Sequence, residues 1–233
     1  MQKRIVVLTG AGISAESGIP TFRDANGLWE GHDVMEVASP EGWKKNPELV
    51  LDFYNQRRRA ALQVEPNDGH RALVDLEQQY EVVIITQNVD NLHEKAGSKN
   101  VVHLHGDLFQ SRSTLDEALI YDIDGWELKL GDLCERGGQL RPNIVWFGEM
   151  VPMMEVAQRE AAQADIFMVI GTSLQVYPAA GLLYEVPQGI PVFIIDPNIP
   201  DYHPQPNITA MAELASLGVP KLVKQLLNAH HAE

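Results

Sequence analysis

The sequence predicts an α/β protein with a doubly wound parallel sheet. Short apolar runs rich in β-branched residues recur along the chain, as is typical of strands buried on both faces of such a sheet. Segments with helical spacing or loop-forming residues separate the runs, and a glycine-containing loop follows the first run directly. The runs lie at residues 5–9, 82–86, 101–105, 143–147, 166–171 and 192–196.

Helix signals and one interruption lie between these runs. Residues 46–63 have apolar residues at helical spacing, and Asn46 suits the cap of that helix. We expect further helices over residues 67–79 and 211–228. Residues 110–140 interrupt the pattern of apolar strand-like runs with charged, glycine-containing sequence. This break predicts a small module inserted into the larger domain.

Composition restricts the compartment and the partners. Of the 233 residues, 45% are hydrophobic. The chain has 18 Lys and Arg and 32 Asp and Glu, which gives a net charge of −14. Such a charge disfavours nucleic acid and suits basic or lysine-bearing partners. One cysteine cannot form a disulfide framework, and no stretch has transmembrane length. We therefore expect a cytoplasmic protein with no nucleic-acid or membrane partner.

The loop after the first strand has the spacing of a dinucleotide phosphate loop. Gly10, Gly12 and Ala15 reproduce G-x-G-x-x-G/A, in which small residues let backbone N–H groups approach a pyrophosphate. The same spacing also occurs in tight packing turns. On its own it does not distinguish a cofactor loop from such a turn.

The next segment departs from an ordinary nicotinamide dehydrogenase. GIPTFRDANGLWEGHD contains glycine and proline where that fold continues into a helix and a second strand, which disfavours hydride transfer. Arg23 is a candidate ligand for phosphate or carboxylate. Phe22 and Trp29 are candidate walls for an aromatic or sugar ring, or they simply pack the loop onto the sheet.

Polar side chains come after two of the later strands. Gln87, Asn88 and Asp90 come directly after the strand at 82–86, at the edge of the sheet where α/β folds bind ligands. They suit an amide and ribose hydroxyls, or they form an Asx-rich turn that caps the next helix. His103 and His105 end another strand, and either is a candidate general base or a structural histidine.

Five segments, in this order, resemble the sirtuin family of NAD-dependent protein lysine deacylases, in its short bacterial type. The segments are GAGISAESGIPTFRD, TQNVDNLH, HLHG, RPNIVWFGE and GTSLQVYPAA. The similarity extends from about residue 5 to residue 223. It implies a reaction in which an acyl group leaves a lysine, NAD is consumed, and nicotinamide and O-acyl-ADP-ribose are formed.

The resemblance also implies site residues. NAD would lie between the glycine loop and the later strand ends, with His105 as the general base and Asn88 as the second catalytic residue, which holds the nicotinamide and its ribose. Near the adenosine, the family usually has asparagine at the place of Asp196, and here the asparagine is two residues later. The implied NAD contacts are Gly10, Ala11, Gly12, Phe22, Arg23, Trp29, Gln87, Asn88, Asp90, Gly171, Thr172, Ser173, Asn198 and Ala215.

The resemblance places an extended substrate peptide between the segments FGE and LQVYP, with apolar walls around the acyl-lysine. Acyl-lysine proteins or peptides are therefore the expected partners. The implied substrate contacts are Tyr54, Arg57, Val145, Phe147, Gly148, Glu149 and Val176.

Tyr54 and Arg57 indicate the acyl group. Three residues apart on a helix, they share a face and suit a carboxylate. Y-x-x-R with a small residue upstream, here Ala38, resembles the sirtuin subgroup that removes succinyl and malonyl as well as acetyl groups. The alternative is a solvated basic face, which we expect for Arg58 and Arg59.

Sirtuins commonly hold a zinc ion with four cysteines in the small domain. The corresponding places read Ser113, Asp116, Cys134 and Gly137, so we expect no structural zinc and no other metal. We expect Cys134 to be either a relic of that pattern or a buried small residue. The module would then be held by apolar packing of Leu115, Leu119, Ile120, Trp126 and Leu133.

The expected organisation is a Rossmann-like NAD-binding domain of residues 1–30, 66–106 and 141–233, with a small domain of residues 31–65 and 107–140. NAD would bind in the cleft between them. Two further functions stay open: mono-ADP-ribosyl transfer to protein, which uses the same NAD cleavage, and a non-catalytic NAD-sensing module.

Overall fold

The computed structural model describes residues 2–20, 28–29 and 31–230, which form one six-stranded sheet, two smaller sheets and the surrounding helices. The strands are β1 Arg4–Thr9, β2 Leu28–Trp29, β3 His32–Asp33, β4 Glu81–Thr86, β5 Val101–His103, β6 Gly106–Ser113, β7 Ile120–Asp122, β8 Leu140–Ile144, β9 Ile166–Ile170, β10 Val192–Ile195 and β11 Ile208–Met211. The helices are α1 Ala11–Ala15, α2 Val34–Val37, α3 Pro40–Lys45, α4 Pro47–Ala61, α5 Asp68–Leu76, α6 Leu92–Ala96, α7 Met154–Ala161 and α8 Ala215–His230, with a 3₁₀ helix at Ala179–Tyr184.

The large sheet confirms the predicted fold class. Its strands are all parallel, in the order β11-β10-β9-β1-β4-β5. Because β1 is central, the chain builds outward to β4 and β5 and then continues on the other side with β9. The carboxyl ends of β1 and β9 therefore form the crevice at which such sheets bind ligands.

Both faces of this sheet are buried. Along β1, Ile5 and Val7 pack against α5 and α8, whereas Val6 and Leu8 pack against α7 and the 3₁₀ helix. The three predicted helices are present as α4, α5 and α8. The strand β11 and the helix α7 were not predicted, because β11 is a short, half-exposed edge strand and α7 buries only Ala157 and Ala161. In the described ranges, no helix combines the length and the apolar character needed to cross a membrane.

The run at residues 143–147 is not a strand of the large sheet, so that prediction is wrong. The strand β8 ends at Ile144 and pairs antiparallel with β6 in a three-stranded sheet. Pro142 cannot donate a ladder hydrogen bond, and β8 is an edge strand, where proline is tolerated. The domain boundary expected between residues 140 and 141 therefore falls inside a strand of the small sheet.

Three of the five apolar side chains expected to hold the small module do not do so. Leu115, Ile120 and Leu133 are 67%, 47% and 56% exposed, whereas Leu119 and Trp126 are half-buried. The small sheet packs on α4 instead, through Leu108 and Ile144. Hydrogen bonds from α4 also hold the module: the Asn55 amide bonds both backbone groups of Leu128, with N···O distances of 2.9 Å.

Arg58 belongs to the same attachment and is fully buried, so the prediction that it lies on a solvated face is wrong. Its Nε donates to the Leu108 carbonyl at 2.6 Å, and its Nη1 donates to the Trp126 carbonyl at 2.7 Å. Arg59 is exposed, as predicted. A charged residue at this depth is tolerated because backbone carbonyls accept its hydrogen bonds.

Close backbone contacts at glycines join the carboxyl ends of β1 and β9. The Gly10 N–H donates to Ile170 O at 3.0 Å, and the Gly12 N–H donates to Gly171 O at 2.8 Å. A Cβ atom on Gly12 would lie 2.7 Å from Gly171 Cα, and Gly171 itself has φ = +62°. Side chains at these positions would push the two strand ends apart.

We predict that Gly12→Ala lowers the free energy of unfolding by about 1–3 kcal/mol, the usual effect of overpacking. The neighbouring atoms belong to backbone and cannot rotate away. Gly181→Ala is the matched control, because a Cβ there meets nothing within 4 Å. Urea unfolding followed by circular dichroism measures both. Equal stability of the two variants would contradict the close contact.

Candidate active site

Three strand ends of the large sheet bring the candidate residues together. The glycine loop follows β1, residues 87–90 follow β4, and residues 171–173 follow β9. The Gln87 N–H donates to Thr9 O at 2.9 Å, which joins the loop after β4 to the loop after β1. The structure thus places the implied nicotinamide and phosphate residues side by side.

Asn88 is buried and holds the glycine loop. Its Nδ2 donates to Gly10 O and to Ser14 Oγ, both at 3.1 Å, and its N–H donates to Thr86 Oγ1 at 3.0 Å. Sequence analysis missed Ser14, because a serine inside a glycine loop gives no signal of a partner 74 residues away. The Asn88 amide therefore has a fixed orientation.

Gln87 and Asp90 flank Asn88 in different environments. Gln87 Nε2 donates to Thr172 Oγ1 at 3.1 Å and so connects the ends of β4 and β9. The Asp90 carboxylate accepts from the Leu92 N–H at 3.0 Å. Burial raises the pKa of Asp90, and that hydrogen bond opposes the rise.

His105 lies in the turn after β5 and faces the same crevice. Its Nδ1 is 3.0 Å from Gln87 O, and because a carbonyl oxygen only accepts, Nδ1 carries the proton. Nε2 then presents a lone pair, with no hydrogen-bond partner within the described part of the chain. Burial lowers the pKa of His105, so the ring is neutral at pH 7. These are the properties of a general base.

His103 is the last residue of β5 and contacts the carbonyl of Asn88, which follows Gln87 in the loop after β4. Its Nδ1 is 3.2 Å from Asn88 O, and its Nε2 is 2.7 Å from Glu94 Oε1 on α6. The two histidines that sequence analysis treated as alternatives therefore occupy different environments. Only His105 has a ring nitrogen available to a ligand.

Two further histidines, which sequence analysis did not select, lie beneath the glycine loop. His93 Nε2 is 3.0 Å from Thr9 Oγ1, and its ring stacks edge-on against His70 at a centroid distance of 4.9 Å. Burial lowers the pKa of His70 to about 4 and also lowers the pKa of His93 well below its ordinary value. Both rings are neutral supports of the loop.

Tyr54 and Arg57 share one face of α4, as their spacing predicts. The Tyr54 phenol is buried and accepts a hydrogen bond from Trp146 Nε1 at 3.0 Å, and burial raises its pKa. Arg57 lies over the ring of Trp29, 4.3 Å from its centroid, and Trp29 also packs edge-on against Phe53. The structure thus places Trp29 beside the candidate acyl-binding pair.

The expected peptide segments differ in exposure. Phe147 is 44% exposed, and its N–H donates to the carbonyl of Ala38, the small residue upstream of α4. Val145, Gly148 and Val176 are half-buried or exposed. Their backbones border the surface on which a peptide would lie, and their roles stay predictions.

Glu149 has a structural task. Its carboxylate accepts from both terminal nitrogens of Arg141, from Arg112 Nη2 and from the Trp146 N–H, at 2.7–3.1 Å. Burial raises the pKa of Glu149, but these donors outweigh it and the net pKa is lowered. Its N–H donates to Trp146 O at 3.0 Å, so only the backbone carbonyl of Glu149 is left for a peptide.

The remaining implied NAD contacts are dispersed. Ala11 begins α1, Ser173 is half-buried after Thr172, and the exposed Asn198 donates its N–H to Asp196 Oδ1 at 2.8 Å. The side chain of Ala215 is buried in the core at the start of α8. Phe22 and Arg23 lie outside the described residues.

The four places that carry zinc ligands in sirtuins do not fit a zinc ion. Ser113 Oγ lies 3.1 Å from Cys134 Sγ and accepts from the N–H of Leu115, and Asp116 is paired with Arg136 at 2.7 Å. Gly137 has no ligating side chain. One thiol and one engaged carboxylate cannot supply a tetrahedral site. Among the described residues, no group of three or more His, Cys, Asp and Glu could hold a metal.

Comparisons with known proteins agree with this geometry. The chain is 54% identical to an NAD-dependent protein deacylase of Helicobacter pylori over 227 residues, covering 97% of this chain and 98% of that protein. It is 54% identical to an NAD-dependent protein deacylase of Bacteroides thetaiotaomicron over 230 residues, covering 97% of this chain and 98% of that protein.

Solved structures give the same result. A Sir2 homologue in complex with NAD superposes with a TM-score of 0.88 at 39% identity, covering 98% of this chain and 91% of that one. A Sir2 complex with a deacetylated p53 peptide and 3′-O-acetyl-ADP-ribose superposes with a TM-score of 0.77 at 29% identity, covering 98% and 94%. The Sir2 family model matches residues 10–178. The chain therefore belongs to the Sir2 family.

Proposed function

We propose that this protein is an NAD-dependent protein lysine deacylase that removes acetyl, succinyl and malonyl groups. The observation that carries the proposal is the neutral His105, whose open Nε2 faces the crevice beside the fixed amide of Asn88. The proposal is supported by relatives named NAD-dependent protein deacylase and by Sir2 structures that hold NAD, or a deacetylated p53 peptide with 3′-O-acetyl-ADP-ribose.

The residues of the crevice fit NAD. Gly10, Gly12 and Gly171 leave backbone rather than side chains at the switch point, where a diphosphate binds in folds of this type. Gln87 and Asp90 offer an amide and a carboxylate to the nicotinamide end. When bound, NAD supplies the ribose carbon that receives the acyl oxygen as nicotinamide leaves.

The side chains of this chain then position the ribose and the acyl-lysine and deprotonate a ribose hydroxyl. Asn88, held by Gly10 and Ser14, orients the ribose next to the acyl-lysine, and such positioning supplies much of the rate enhancement. His105 Nε2 accepts the proton of a ribose hydroxyl, while Nδ1–H stays bonded to Gln87 O. By removing that proton, His105 would activate the ribose hydroxyl of bound NAD as the acceptor of the acyl group.

The acyl preference rests on α4. A succinyl or malonyl carboxylate would meet the Arg57 guanidinium and the Tyr54 hydroxyl, which can donate a hydrogen bond while it accepts one from Trp146. The raised pKa of Tyr54 keeps the phenol protonated, as this requires. An acetyl group needs neither contact.

We place the protein in the cytoplasm, acting on acyl-lysine proteins or peptides. Its net charge of −14 favours basic, lysine-bearing partners over nucleic acid or anionic membranes.

We predict that the protein, with NAD, releases both acetyl and succinyl groups from one lysine peptide. His105→Ala should lower both rates by about 100- to 10,000-fold, because the general base is lost. Arg57→Ala should lower only succinyl kcat/KM, by roughly ten-fold or more, because a charged hydrogen bond is lost. Mass spectrometry of the peptide and of the nucleotide products measures both effects.

Arg59→Ala is the matched control, since Arg59 is an exposed arginine two residues along the same helix. Equal losses of acetyl and succinyl activity in Arg57→Ala would contradict the acyl assignment. ADP-ribose attached to protein without acyl release would indicate mono-ADP-ribosyl transfer. NAD binding without any reaction would indicate a sensing module.

We also predict that the protein needs no zinc. Purified protein should carry far less than one zinc per chain, and a chelator should change neither its melting temperature nor its activity. Ser113→Ala should cost about 1 kcal/mol of stability, because backbone N–H donors lose their acceptor. The exposed Thr114→Ala is the control. Stoichiometric zinc by elemental analysis, with unfolding on chelation, would contradict the prediction.

A further inference from the structure

The two histidines of HLHG hold neighbouring carbonyls of one loop. His105 Nδ1 is 3.0 Å from Gln87 O, and His103 Nδ1 is 3.2 Å from Asn88 O. Two further polar groups of Asn88 are engaged as well, since its N–H donates to Thr86 and its side-chain Nδ2 donates to the glycine loop. The contact of His103 completes the fixation of this residue.

His103 is positively charged on the basis of its partners. Its two ring nitrogens face a carbonyl oxygen and the Glu94 carboxylate at 2.7 Å, and both of these groups only accept. Only the doubly protonated ring can donate to both. Burial lowers the pKa of His103, but the hydrogen bond and charge of Glu94 outweigh it, so the net pKa is raised.

The surroundings of His103 favour that charge. Glu94 on α6 and Asp107 on β6 both raise its pKa. Asp90, on the loop after β4, is so near that the charge of His103 lowers the pKa of Asp90. His93 on α6 is kept neutral by burial and adds no opposing charge.

We propose that the ion pair of His103 with Glu94 is a positioning device that fixes the Asn88 carbonyl and thereby the catalytic loop, a role that rests on the proposed deacylase function. A neutral His103 has one N–H and can donate to only one of its two acceptors. The Glu94 carboxylate is the stronger acceptor, so the neutral ring keeps Nε2–H for it and turns a lone pair toward the Asn88 carbonyl. Loss of the proton therefore loosens Asn88, and with it the adjoining Gln87 carbonyl that orients His105.

The positioning contact weakens toward alkaline pH. Because the folded pKa of His103 is raised, the contact is complete below that pKa and is lost as pH rises through it. In Glu94→Gln the folded pKa falls. The new side-chain amide can donate to Nε2, which lets the neutral ring keep Nδ1–H on the Asn88 carbonyl. The alkaline decline in kcat/KM for NAD should therefore disappear in this variant.

The test combines kinetics with a titration that needs no turnover. The pKa of His103 is read from its imidazole NMR signals, assigned with His103→Gln. We expect the wild type to lose NAD affinity, measured by calorimetry, and kcat/KM for NAD roughly ten-fold as pH rises through this pKa. Glu94→Gln should lower the pKa of His103 and yet keep both quantities above neutral pH. Glu94→Asp keeps the charge and should keep the alkaline decline. Glu155→Gln, an exposed glutamate on α7, should behave as wild type.

The outcomes separate this proposal from the proposed function. If the wild-type protein does not remove acyl groups, the proposed function is contradicted. The titration of His103 and the NAD affinities still decide the role of the ion pair in that case. An alkaline decline in NAD affinity and kcat/KM that is unchanged in Glu94→Gln would overturn the positioning role. So would a His103 that titrates at its ordinary pKa in the wild type.

Discussion

The direct contact between the glycine loop after β1 and Gly171 after β9 is the constraint on which the site depends. Gly12 N–H donates to Gly171 O at 2.8 Å, and a Cβ atom on either residue would collide with the backbone of the other loop. This contact sets the width of the crevice at the switch point. Asn88 and Gln87, which reach these loops from β4, have their orientation only because the loops hold their spacing.

A second set of contacts connects the substrate side to the small sheet. Arg141 bonds Glu149 and lies over the ring of Trp146 at 3.3 Å, and Trp146 in turn donates to Tyr54. The segment expected to pair with the peptide and the residue expected to meet the acyl group are thus held by one buried network. Such a network gives a fixed geometry only when its polar groups have partners.

Features that depend on local pattern were predictable from the sequence. Continuous apolar runs identified five of the six strands of the large sheet, all but β11. Residues 87–90 and His105 were placed at the correct strand ends because parallel strands share one ligand-binding edge. The strand at 143–147 was misassigned, because an apolar run does not reveal which sheet it joins. Pro142 was the available signal for an edge strand.

Hydrogen-bond partners that lie far apart along the chain could not be predicted from the sequence. Nothing in RRR distinguishes the buried Arg58 from the exposed Arg59, since only the fold shows that the carbonyls of Leu108 and Trp126 lie within reach of one of them. Likewise, the cysteine pattern indicated that zinc ligands are missing, but not that hydrogen bonds from α4 and Ser113 hold the module.

A crystal structure with NAD and an acyl-lysine peptide tests the central claim most directly, namely that the fold presents a ready site at the switch point. We predict the diphosphate beside Gly10, Gly12 and Gly171, and the nicotinamide ribose within hydrogen-bond distance of His105 Nε2. The protein backbone at the contact of Gly12 with Gly171 should be unchanged. NAD bound elsewhere, or bound only after these loops separate, would contradict the claim.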